Sequence, residues 1–194
     1  MFKRELIAAK LRRWERYLEK FNLPKWEELP AFDLYMDQVI ALLTKYLDFL
    51  PHEDTGGEKI VTPVAINNYV RMKIMPAPVK KKYSRIHLAY LIMICTLKQT
   101  LSISYITKII PNGIEEQKVR ELYNDYVNMH KNSATYFIGQ VRQNCRAVLD
   151  GDENSKEPVV SMLATAATIS TFSRLLCEKV INLEGVTELP QEKL

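Results

Sequence analysis

No aspartate or glutamate occurs between Lys59 and Ile110, although the chain holds 23 acidic residues. Nine basic residues stand in that window: Lys59, Arg71, Lys73, Lys80, Lys81, Lys82, Arg85, Lys98 and Lys108. The flanks differ. Residues 1–20 carry seven basic and three acidic groups, residues 21–58 two and eight, and residues 111–194 nine and twelve. The overall charge of +4 therefore conceals one internal block of +9. Such asymmetry points to a polyanionic partner, with a solvated basic face as the plainer alternative.

Other scarcities exclude whole classes of chemistry. There are three cysteines, Cys95, Cys145 and Cys177, far apart and with no CxxC pair. That excludes a disulfide framework and a zinc knuckle, and predicts reduced, buried thiols. Glycine is scarce at six residues, and no glycine-rich phosphate loop or nucleophile elbow is present. His52, His87 and His130 fall in different elements with no carboxylate or cysteine at ligand spacing, so no metal site is expected. "DTG" at Asp54–Gly56 follows His52 and Glu53 rather than an apolar strand, and reads as a solvated loop. The sequence thus predicts no enzyme and calls for no cofactor. The N-terminus is charged throughout, unlike a signal peptide. The longest apolar runs, Ile86–Leu97 and Val159–Leu176, fall short of the roughly 20 residues a bilayer needs. No membrane partner is expected, and the predicted location is cytoplasmic.

What is present is helical patterning. Residues 3–20 place Leu6, Ile7, Leu11, Trp14 and Leu18 on one face. "FNLPKWEELP" reads as a linker, after which Asp33 can cap a helix from Leu34 to Leu50. Thr62–Pro63 is a helix start, a hydroxyl cap followed by proline at the first position. In that helix Ile66, Tyr69 and Val70 form the buried stripe, leaving Asn67, Asn68 and Arg71 outside it. Pro76 and Pro78 forbid continuation, so residues 76–83 suit a short β-wing tipped by lysines. Ser84 caps an apolar helix to Thr100, with His87 taking a role in its first turn. Ser102 caps a short helix to Ile110. A long helical pattern runs from Ile114 to about Leu149, and a last one from Val159 to Asn182 is rich in Ala, Ser and Thr. The latter suits close helix–helix contact.

An exposed short helix followed by a lysine-tipped wing is what a winged helix-turn-helix requires, with the helix in the DNA major groove and the wing along phosphates. Acidic residues on that surface would be repelled by the backbone, which accounts for their absence. The stretch from "TPVAINNYVRMKIMPAP" through "KKYS" to "LSISYI" resembles the DNA-binding module of MerR-type regulators. That pattern has Leu-Arg-Tyr-Tyr in its recognition helix; here Ile66, Asn67, Asn68 and Tyr69 take those places. The glycine that follows the helix in that pattern is Lys73 here. Residues 20–110, with "INNYV" and "KKYSRIHLAYLIMICTLKQ", are also similar to a family of uncharacterised proteins from Gram-positive bacteria.

These readings predict an all-α protein in three parts: an N-terminal helix and linker (1–31), a MerR-like winged helix-turn-helix core (32–110), and a C-terminal helical region (111–194). The expected activity is that of a bacterial transcription regulator binding double-stranded DNA, with the recognition helix at about 63–72. Asn67, Asn68 and Arg71 are the candidate base or phosphate contacts. Lys73, Lys80, Lys81, Lys82 and Arg85 are candidate phosphate contacts, with Tyr69 and Tyr83 packing beside them. The alternative is a protein–protein module docking an acidic partner on the same basic surface. The long helix from Ile114 has a near-coiled-coil seam and sits where the MerR resemblance implies a dimerisation helix. It fits a homodimer or an intrachain hairpin with Val159–Asn182, and a small-molecule effector among these helices is a further reading.

Overall fold

The computed structural model describes residues 3–50, 59–150 and 157–186. The loop holding His52 and "DTG", the polar loop after Asp150 and the last eight residues lie outside them. Within the described residues the chain is all-helical: α1 Arg4–Lys20, α2 Met36–Tyr46, α3 Pro63–Arg71, α4 Arg85–Leu97, α5 Ile103–Ile109, α6 Glu116–Asp150 and α7 Glu157–Ile181, with a single 3-10 turn at Trp26–Glu28.

The fold is built around α4. Nine consecutive residues, His87 to Cys95, are buried, so this helix is covered on every side, as its unbroken apolar run requires. Val39, Leu43 and Leu47 of α2 and its C-terminal end pack into the same core, as do Ile66 and Tyr69 of α3 and Ile106 of α5. Val119, Tyr123 and Val127, spaced at four, bring in the first turns of α6. Two buried tyrosines have partnered hydroxyls: Tyr90 Oη donates to the Pro111 carbonyl and Tyr123 Oη to that of Pro24, each at 2.7 Å. Tyr126 Oη pairs with Thr96 Oγ1 between α6 and α4.

α1 docks against the distal part of α6. Leu18 is buried, and Trp14 meets Phe137 edge-on at 5.4 Å between ring centres. Lys131 Nζ closes the helix by donating to the carbonyls of Glu19 (2.7 Å), Phe21 (3.2 Å) and Leu18 (3.5 Å). A cation on those orphan carbonyls also complements the negative end of the helix dipole.

Several expectations are corrected. The helix expected from Leu34 begins at Met36, because Leu34 exchanges two 2.8 Å backbone bonds with Tyr83 and is held extended. The stretch read as a linker carries core residues Leu23, Trp26 and Leu29, and Trp26 N donates to Asn124 Oδ1 at 3.0 Å. No β-strand occurs among the described residues; the bridges Leu34–Tyr83 and Val79–Lys82 are isolated. Cys95 and Cys145 are buried but Cys177 is exposed. α7, expected to make close helix contacts, is exposed at every residue from 163 to 177. By length and composition alone it is also apolar enough to cross a membrane.

Candidate nucleic-acid interface

α3 begins as its sequence dictates. Thr62 Oγ1 accepts from Ala65 N–H at 3.1 Å, and Pro63 sits where a missing N–H costs nothing. Burial of Ile66 and Tyr69 turns Asn67 and Arg71 outward, with Asn68 half-buried at the edge. Arg71 Nη2 donates to Asn68 Oδ1 at 2.7 Å, and Asn68 Nδ2 faces Met72 Sδ at 3.5 Å. Asn68 therefore serves to orient the arginine. The Asn67 side chain makes no hydrogen bond to any described residue and leaves its amide donor and acceptor for a ligand.

The end of α3 is a Schellman motif. Ile74 N–H bonds the Tyr69 carbonyl (3.1 Å) and Lys73 N–H that of Val70 (3.0 Å). The motif puts Lys73 at φ 57°, a position usually held by glycine. Asn112 Nδ2 pins it by donating to the Lys73 carbonyl at 2.8 Å.

Farther along, Val79 and Lys82 exchange two backbone bonds of 3.1 and 2.9 Å around Lys80 and Lys81, at φ 50° and 63°. Two positive φ values in a two-residue loop are the type I′ arrangement, which favours Asn-Gly. Here both places are lysine, and Lys80, Lys81 and Lys82 are all exposed. Lys82 Nζ also lies 5.5 Å from the Tyr35 ring centre, within cation–π range.

Two buried side chains hold this turn to the body. Tyr83 is 3% exposed and meets His87 edge-on at 5.5 Å. His87 Nδ1 accepts from Ser84 N–H at 2.9 Å, which puts the ring proton on Nε2, donated to the Ala77 carbonyl at 3.2 Å. Burial drives the pKa of His87 down and outweighs these hydrogen bonds, so the ring is neutral at pH 7. The role expected of His87 in the first turn of α4 is thus observed, and it extends to fixing the loop before the turn.

Arg85 stands apart from the other basic residues. It is half-buried, its guanidinium lies 5.7 Å from the Trp26 ring centre, and its Nε is buried with no partner among the described residues. Among the described residues no group of His, Cys, Asp or Glu is placed to hold a metal ion. The sequence predicts the lysine-tipped turn but not the positive φ of Lys80 and Lys81, because lysine carries no local signal for that conformation.

The described residues define an all-helical domain. On one short helix and the turn beyond it stand exposed Asn67 and Arg71, Lys73, and three further lysines, with no carboxylate in the intervening sequence. The chain belongs to the family named Domain of unknown function (DUF1836), which matches residues 24–127. That span holds α2 to α5, the Trp26 turn and the part of α6 that enters the core. A comparison with curated proteins and one with solved structures each gave no match.

Proposed function

We propose that the chain is a cytoplasmic transcription regulator that binds double-stranded DNA in the manner of a winged helix-turn-helix. The observation that carries this reading is backbone strain. Among the described residues, all three non-glycine residues at positive φ are lysines of the acid-free block: Lys73, Lys80 and Lys81. Each forgoes about 1 kcal/mol that glycine would recover. A solvated surface has no use for that sacrifice, whereas a surface that must present cations in a fixed geometry does. Phosphates spaced along a duplex are such a demand, and the lack of Asp and Glu from Lys59 to Ile110 is its other half.

In this reading α3 enters the major groove, with Asn67 at base edges and the Asn68–Arg71 pair at a base or phosphate. Lys73 and the Lys80–Lys82 turn take backbone phosphates; the turn does the work of a wing without a strand. Arg85 contributes through packing on Trp26. The test is selection of bound duplexes from a random pool by the purified protein. Enrichment of a shared motif supports the reading. A pool that stays random after repeated rounds contradicts sequence reading by α3, and competition of all binding by an acidic peptide would transfer the basic surface to a protein partner.

A further inference from the structure

α7 is exposed where its composition calls for burial. Its ends are seated: Val159 is buried, Met162 Sδ lies 3.2 Å from Cys145 Sγ of α6, and Ile181 packs against the core. Beyond the helix, Asn182 Nδ2 faces Tyr105 Oη at 3.4 Å, and Glu184 pairs with Lys108 of α5 at 3.4 Å. Between these anchors every residue from 163 to 177 is exposed, including Leu163, Ile169, Phe172, Leu175 and Leu176. A helix apolar around its circumference is a buried helix, and here none of the described residues covers its middle.

We infer that α7, with the adjoining face of α6, is the surface on which a second copy of this chain docks. Ile169 and Leu176 lie seven residues apart on α7, with Phe172 and Val180 beside them, which makes a short exposed apolar seam along one face. α6 exposes Met129 (50%) and Tyr136 (71%) at the same seven-residue spacing. One antiparallel hairpin carrying two such seams is half of a four-helix bundle, and a two-fold-related copy supplies the other half. The area agrees. The seam residues Ile169, Phe172, Leu176 and Val180, with Met129 and Tyr136 of α6, expose on the order of 700 Å², close to one partner's share of a stable interface.

A lipid bilayer fits less well. The uncharged run from Pro158 to Ser173 is 16 residues, roughly 24 Å of helix, against about 30 Å of hydrocarbon. Six of those residues are Ser or Thr, and Arg174 follows directly. Both ends of the helix are also tied to α5 and α6 of the body.

Sedimentation velocity of the full chain without DNA, from low to high micromolar concentration, is the test. The expected species is a dimer of twice 22.5 kDa. Leu176→Glu, and separately the uncharged Ile169→Gln, should raise the dissociation constant at least about 100-fold with the helical circular dichroism unchanged. A wild-type chain that stays monomeric overturns the inference without reference to any variant. So does a dimer that both variants leave intact, or a monomer that floats with phosphatidylcholine–phosphatidylglycerol vesicles. Because the readout needs no nucleic acid, it stands or falls separately from DNA binding.

Discussion

Replacing Lys80–Lys81 with Asn-Gly should move stability and DNA affinity in opposite directions. Both lysines sit in the left-handed region, at φ 50° and 63°, where an L side chain costs about 1 kcal/mol or more. Asparagine tolerates the first place better than lysine, and glycine removes the penalty at the second. Glycine's added freedom in the unfolded chain returns about 0.5–1 kcal/mol of that gain. The double variant should therefore be more stable by about 1 kcal/mol, a rise of about 2–4 °C in Tm for a chain of this size. The bonds between Val79 and Lys82 are backbone bonds and survive the exchange. Two cations, however, are gone. If each meets a phosphate, the slope of log K against log salt flattens by about 1.8. Thermal melts followed by circular dichroism, beside anisotropy titrations at several salt concentrations, read both effects. A variant that is more stable with an unchanged salt slope would remove these lysines from the phosphates. A less stable variant would refute the strain argument itself.

Asn67→Ala should lower the preference for a selected duplex over a scrambled one by about 1–3 kcal/mol while leaving the salt slope alone; equal weakening on both duplexes would end its base-reading role. Lys131→Met removes three carbonyl contacts at the end of α1 and should cost about 1–2 kcal/mol in urea unfolding, with an unchanged midpoint as the contrary result. His87 and His130 are both held below the usual histidine pKa, in each case chiefly by burial, so the unfolded chain binds protons first on acidification. Stability should be flat above about pH 7.5 and fall below about pH 6.5, by up to about 1.4 kcal/mol per pH unit for each ring. Urea midpoints constant from pH 7.5 to pH 5 would contradict the burial of both.

Helix existence was legible where periodicity and caps agreed. Thr62–Pro63 announces α3, and the spacing of Ile66 and Tyr69 assigns its buried face without any tertiary knowledge. What tertiary contacts decide was not legible. Nothing local says that Leu34 will pair with Tyr83 rather than open a helix, because that bond joins residues 49 apart in sequence. "FNLPKWEELP" reads as a linker since prolines and charges dominate it, yet Leu23, Trp26 and Leu29 dock on α6 and α4 at long range. Lys73, Lys80 and Lys81 break the rule that glycine takes positive φ, so composition hides their backbone state. The apolar residues of α7 signal burial, and their exposure within one chain appears only in three dimensions.

The central claim is that the basic helix and turn bind duplex DNA and discriminate among sequences. An anisotropy titration tests it most directly, with the duplex upstream of the protein's own gene beside a scrambled duplex at two salt concentrations. Binding to both duplexes should weaken steeply with salt and be clearly tighter to the upstream duplex. Equal and weak binding to the two duplexes, or none near physiological salt, would contradict it.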